Sequence, residues 1–500
     1  MFRLPSHALK LWPVSLLLTA LVGIIAHARQ ANDAAATAKA LDQEIIVRAK
    51  NGSELMVNIT HLCDVIGPRL TGCAALKKAN DWAADKMKAY GLVNVQNEPY
   101  LFPEGWERGP ISARLVEPDN GVKLSLASWC WVPGTEGKIQ ADLVLIAAEK
   151  EKDLTAYKGK LKGKVVLFGP PAKLRPLTEI DKPFGSFASA LEPHKDGTDP
   201  VDWGMSFAKE DLLKSEGAAA VLHDCERHFG LLSAASPFFI TSERPSALHR
   251  IPICNVAHHH YAMLCRLASR PAPARTRIEL EVSNKFIAGP LKVFNTVGDI
   301  RGTDKPDEFV ILGAHLDSWD LGQGALDNGT GTCVILEAAR ILAQCPRPKR
   351  TIRFVLFTGE EQGSRGSMAF VKQHQDEMPK TSAFLNHDRG TGKVIGLAWA
   401  GEREAFGSIL ETEMVSLKEL GAKYVDGRTT SNSDQWSFSN VGVPACAVDQ
   451  EIAGYRLAWH SEADTLALVR EPGLIQGAQV MSVTAMRLAN LDKLLPRSKK

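Results

Sequence analysis

This sequence has almost no excess of charge of either sign. Its 500 residues carry 59 Lys and Arg against 57 Asp and Glu, a formal net charge of +2. No long block of like charge breaks the balance, which argues against a nucleic-acid partner. Internal repeats and low-complexity tracts are also missing, so a repeat architecture is not expected. None of the nine cysteines falls into zinc-ribbon spacing. An odd number leaves at least one thiol free or intermolecular. Several (Cys254, Cys333, Cys446) lie in apolar runs, where a small buried hydrophobe is the expected role. An oxidising compartment would permit bridges, but the spacing fixes no pairing.

A run long enough for a comfortable membrane span is lacking as well. Leu11 to Ile25 is apolar but broken by Pro13, follows Arg3 and Lys10, and precedes Ala26-His27-Ala28, which fits small-x-small cleavage. Residues 1–28 therefore read as an export signal, with an uncleaved anchor as the alternative. No cysteine follows closely enough for a lipoprotein. The expected location is the periplasm or the outside of the cell.

The length exceeds what one core usually supports, so more than one domain is expected. A helix is predicted over 34–50, stopped by Asn51-Gly52, with Ser53 as an N-cap for the next one. Leu55, Ile59, Leu62 and Ile66 would form that second helix's buried face. Lys77 to Tyr90 reads as an amphipathic helix ended by Gly91, followed by an extended Val95 to Phe102. From about residue 124 to 286 the texture changes to short strand runs separated by turns. The run His258-His259-His260 there is expected to be a polar loop, because consecutive side chains do not readily face one ion. From Leu291 onward strands and helices alternate, with helices over Thr332 to Gln344 and from Pro472 on.

The chemistry gathers at the ends of apolar strands. Phe309 to Leu312 reads as a buried strand that ends in His315-Leu316-Asp317; a glycine-rich loop then delivers Asp327-Asn328-Gly329. Thr351 to Phe357 is a second such run, ending in Gly359-Glu360-Glu361, and Ser382 to Asn386 a third, ending in His387-Asp388. Val443 to Val448 is strand-like and leads through a loop to Trp459-His460-Ser461. Ligands of open α/β sheets collect at the carboxyl ends of strands. Two histidines (His315, His460) and three carboxylates (Asp327, Glu361, Asp388) form the nitrogen–oxygen donor mix of a hydrolytic zinc site. Asp317 and Glu360 stand beside them. Alone, each pair is ordinary; together, in this order, they point to metal-assisted hydrolysis. Asp317 is placed to hold His315 in the right tautomer. Asp464 either does the same for His460 or caps a helix beginning near Thr465.

The segments GAHLDSWDLGQGALDNGTG, FTGEEQGSRGS, NHDRGTG and WHSEADT, with Gly67-Pro68-Arg69-Leu70-Thr71-Gly72, resemble the co-catalytic di-zinc exopeptidases. That group includes leucyl aminopeptidases, glutamate carboxypeptidases and the carboxypeptidase Q type, whose HLDSWD, GQGALD and EEQG segments are the most similar. The resemblance implies a mixed, mostly parallel sheet flanked by helices. Residues 29–123 and 287–500 would form this catalytic unit, and 124–286 a β-rich protease-associated insertion walling the cleft. It implies two zinc ions: His315 and Asp388 on one, Glu361 and His460 on the other, Asp327 bridging. Glu360 is the implied general base for a metal-bound water whose pKa such a site lowers to around 7. Gln435 departs from the family, where histidine is common, so a substrate contact there is not implied. The expected partner is a short peptide, with dipeptides included; neither nucleic acid nor a stable membrane anchor is expected, and a homodimer is open. Two other readings remain at this stage. A single-zinc glutaminyl cyclase shares the fold, and receptor-like relatives bind without catalysis.

Overall fold

The computed structural model describes residues 35–174, 176–177, 203–233, 251–400, 403–413, 415–425 and 433–497. The expected export signal lies outside these residues. Among them, no helix is long and apolar enough to cross a membrane.

An eight-stranded sheet organises the molecule. Its strands are β1 (Val93–Phe102), β2 (Leu291–Ile300), β3 (Lys305–His315), β4 (Arg350–Phe357), β5 (Thr381–Asn386), β6 (Val394–Ala400), β7 (Lys423–Val425) and β8 (Ala445–Gln450). Their order is β1-β2-β4-β3-β5-β8-β6-β7. The centre is parallel: β3 lies between β4 and β5, and β8 runs parallel to β5. The flanks β1/β2, β2/β4 and β8/β6 are antiparallel. Parallel strands covered on both faces read as unbroken apolar runs, and β4 and β5 are buried at every residue.

The alternation along β3 serves two cores. Val310, Leu312 and Ala314 face a large cluster shared with helices 35–50, Leu55–Thr60, Ala74–Ala89, Thr330–Ala343 and Glu471–Asn490. Phe309 and Ile311 face a smaller cluster with Phe357, Phe370, Phe384 and Phe438. Gly313 has to be glycine here: a Cβ would stand 2.8 Å from the rings of both Phe357 and Phe384.

Residues between β1 and β2 build a second, seven-stranded mixed sheet. It begins at Ile111–Glu117, which pairs with Arg277–Val282, so this strand lies in the second sheet although it precedes residue 124. The unit is also less purely β than expected, because the helices Trp203–Glu216 and His258–Ala268 accompany its sheet. The histidine run is therefore not a loop; His258 opens a helix, and its Nδ1 pairs with Asp224 Oδ2 at 2.8 Å. All nine cysteines are free thiols, and seven of them are buried.

A charged clamp ties β1 to the helix Arg365–Gln373. His374, just past that helix, pairs with Glu98 on β1 and with Glu377, each at 2.9 Å. Burial opposes its charge, but Glu377 and Glu98 override it and hold the pKa up at about 9. A raised folded pKa makes this contribution complete below the unfolded value of about 6.5 and lost as pH rises through the folded one. His374→Gln should therefore cost about 2 kcal/mol near pH 6 and much less near pH ~9.5, read as urea midpoints. An equal cost at both pH values would show that the clamp is not ionic.

Candidate metal centre

Every sequence-predicted donor follows the carboxyl end of a parallel strand. His315 ends β3, Glu361 follows β4, Asp388 follows β5, and His460 lies on the loop after β8. Asp327 sits on the turn between β3 and helix Thr330–Ala343. The chain brings all five together. His315 Nε2 lies 3.2 Å from Asp327 Oδ1 and 3.3 Å from Asp388 Oδ1. His460 Nε2 lies 3.3 Å from Asp327 Oδ2 and 3.0 Å from Glu361 Oε2. Two donor groups result, His315–Asp327–Asp388 and Asp327–Glu361–His460, and they share only Asp327.

The donor set fits cations. The Glu361 Oε1 atom is buried with no hydrogen-bond partner, a costly state for a carboxylate unless an ion completes it. His315 Nδ1 donates to the carbonyl of Asp317 at 3.0 Å. A carbonyl only accepts, so Nδ1 holds a proton, which leaves Nε2, facing Asp327 and Asp388, as the nitrogen available to a cation. The electrostatics agree. Burial resists charge on His460, yet Glu361 and Asp327 lift its pKa to about 9. Burial raises Glu361 to about 7 despite His460 beside it, and raises Glu360 well above its ordinary range. A buried site that draws protons this strongly has the charge to hold metal in their place.

The roles expected of two aspartates change. Asp317 was expected to hold the His315 ring by its carboxylate, but that carboxylate is 3.7 Å from Nδ1, and its carbonyl makes the bond instead. The carboxylate accepts from the backbone N–H groups of Glu360 and Glu361, each at 3.3 Å, and from Thr71 Oγ1 at 3.1 Å. Asp317 thus fixes the turn carrying both glutamates. Asp464 neither holds His460 nor caps a helix. Its two oxygens accept from the N–H groups of Leu326 at 2.6 Å and Asp327 at 3.1 Å, gripping the backbone of the shared donor.

Several supporting residues were not assigned these roles from sequence. Arg69 is fully buried, and its guanidinium donates to the carbonyls of Gly67, Leu316, Gln323 and Gly324, stapling the glycine-rich loop. Gly324 has φ +61°, and a Cβ there would meet Ser318 and Arg69, so the staple and the turn require each other. Ser433 Oγ donates to Asp388 Oδ2 at 2.5 Å and accepts from Asn386 Nδ2 at 2.8 Å. Gln435 accepts from the same amide at 2.8 Å. Tyr455 is close enough for Asp327, Asp388 and Glu361 to add to the effect of burial in raising its hydroxyl pKa. Trp319 meets the His460 ring edge-on at 5.8 Å. The GPRLTG and SDQ segments were the available signals for Arg69, Thr71 and Ser433; nothing local marks the others.

The chain is similar to several known proteins. Residues 295–485 match the model of peptidase family M28. Carboxypeptidase Q of Mus musculus is 29% identical over 438 residues, which span 87% of this chain and 86% of that one. Carboxypeptidase Q of Xenopus laevis is 28% identical over 461 residues, 91% and 90% of the two chains. The crystal structure of a peptidase M28 precursor from Shewanella amazonensis SB2B superposes with a TM-score of 0.73 at 24% identity, covering 93% of this chain and 99% of that one. BSAP, a zinc aminopeptidase from Bacillus subtilis, gives 0.62 at 19% identity, covering 90% and 98%. These two solved structures share the mixed α/β fold found here. Over residues 295–485 the chain is similar to peptidase family M28, and with the carboxypeptidase Q relatives matched over most of its length it reads as a metallo-exopeptidase.

Proposed function

We propose that this protein is an exported exopeptidase that removes single residues from short peptides, dipeptides among them, at a centre of two zinc ions. One observation carries the reading: the two oxygens of Asp327 turn to different histidines, and each histidine has its own further carboxylate. A carboxylate that bridges must offer its two oxygens to two different centres, and Asp327 turns one oxygen to each histidine. His315 and Asp388 would hold one ion, Glu361 and His460 the other. When bound, the ions supply Lewis-acid polarisation and an acidified water. Asp317 holds the backbone of Glu360 and Glu361 in place. Glu360 is absent from both donor groups, which leaves its carboxylate available to take a proton from the attacking water and return it to the leaving amine. Two donor groups favour this over the single-zinc glutaminyl cyclase, for which one group would suffice.

The second sheet, read as the protease-associated insertion, would wall the cleft and restrict substrates by length. The resemblance to carboxypeptidase Q over most of the chain supports small peptide substrates. The test is hydrolysis of free, N-blocked and C-blocked dipeptides beside casein. Turnover of dipeptides with intact casein is expected, and the blocked substrate that is spared names the terminus required. Cleavage of casein at internal bonds would overturn the reading.

A further inference from the structure

Residues 227–233, a strip of chain that joins strands of the second sheet, touch the loop that carries His460. Ser233 Oγ donates to the backbone carbonyl of His460 at 2.7 Å. Ser233 also forms an antiparallel bridge with Ser461. Leu232 and Glu462 exchange two further bonds, Leu232 N–H to Glu462 Oε1 and Glu462 N–H to the Leu232 carbonyl, both at 3.0 Å. Arg227 reaches the same loop from the other end of the strip: Nη2 donates to the Trp459 carbonyl at 3.0 Å and Nη1 to the Arg456 carbonyl at 3.2 Å. His460 is bracketed on both sides by these bonds.

The strip is itself anchored in the insertion. Asn255 Nδ2 donates to the Ser233 carbonyl at 3.0 Å, and Trp129 Nε1 donates to Asn255 Oδ1 at 2.8 Å. Trp129 and Asn255 are buried, and Asn255 lies on the strand Ile253–Val256 of the second sheet. Ser233 N–H meets Cys225 Sγ at 3.0 Å. A rigid element of one sheet thereby grips a loop that hangs from the other.

The gripped residue needs holding. His460 has φ +55°, in the left-handed region that a non-glycine residue occupies only when its surroundings fix it. Its backbone carbonyl is the atom Ser233 binds. Releasing that carbonyl would let the residue return to an ordinary conformation and swing the ring away from Asp327 and Glu361.

We infer that Arg227 and Ser233 of the insertion are positioning residues for His460, so that the inserted sheet completes the Asp327–Glu361–His460 half of the metal centre as well as bordering the cleft. This rests on the two-metal reading above. Residues that orient a metal ligand without touching the metal typically contribute 10–100-fold in metal affinity. The effect should be confined to one half, because the partners found for His315 and Asp388 include no residue of the insertion.

The test is competitive zinc titration of the full-length protein and of Ser233→Ala, Ser233→Thr, Arg227→Gln and Arg227→Lys. Wild type should bind about two ions. Ser233→Ala and Arg227→Gln should bind one ion as wild type does and the other roughly 10–100-fold more weakly, with the lost kcat recovered in excess zinc. Ser233→Thr, which keeps the hydroxyl, and Arg227→Lys, which keeps a donor, should fall between. Two ions bound with wild-type affinity in all four variants would overturn the inference while leaving the two-metal reading intact. Equal weakening of both ions, together with a lowered melting temperature, would overturn it too, as general destabilisation. Fewer than two ions in wild type would instead overturn the reading on which it rests.

Discussion

Glu360→Gln should lower kcat by roughly 10²–10⁴-fold with little change in metal content, the range general acid–base groups contribute. The substitution keeps the size of the side chain and removes its basicity. The backbone N–H of Glu360 remains bound to Asp317, so the turn should keep its shape. Glu361→Gln is the control one residue away. It turns into an amide the carboxylate that lies 3.0 Å from His460 Nε2 in one of the two donor groups. That variant should lose about one ion and recover part of its activity when zinc is added, because an amide is a poorer ligand than a carboxylate. Metal analysis and kcat on both variants decide the matter: metal lost at 360 and kept at 361 would reverse the two roles.

Asp327→Ala should do the most damage of any single change. One carboxylate serves both donor groups, so its loss removes an oxygen from each. Metal content should fall toward zero. Losing the several kcal/mol that metal ions contribute to the transition state corresponds to about 10³-fold or more in kcat. Excess zinc should restore little, in contrast to Glu361→Gln. The fold should survive, since the backbone N–H of residue 327 still meets Asp464, and the near-ultraviolet circular dichroism should show it. A variant that retains one tightly bound ion would mean that Asp327 belongs to a single site.

The candidate donors stood out in the sequence because of the strands that carry them. β4 and β5 are buried on both faces and β3 through most of its length, so each wrote itself as an apolar run whose end was easy to find. Chemistry-bearing residues at those ends stood out against the apolar background. What sequence spacing does not contain is which atom of a side chain meets which neighbour. Asp317 was assigned to the His315 ring by proximity in the chain, but its carbonyl took that bond and its carboxylate went to the glutamate turn. Asp464 had two local roles open to it, and the actual one is to hold backbone more than a hundred residues earlier in the chain.

The same limit explains the second sheet. Ile111–Glu117 joined the second sheet through pairing with Arg277–Val282, a contact with no local signature. The histidine run became a helix start because burial of Tyr261, Leu264 and Cys265 against the second sheet decides its conformation, not the polarity of its first residues. Nothing local in the sequence marks Arg227 and Ser233, since their partners are backbone carbonyls of a distant segment.

Crystals grown with zinc and measured at the zinc absorption edge test the central claim most directly. Two anomalous peaks are expected, one bounded by His315, Asp327 and Asp388 and the other by Asp327, Glu361 and His460. A single peak in a fully active preparation, in either half of the site, would contradict the account.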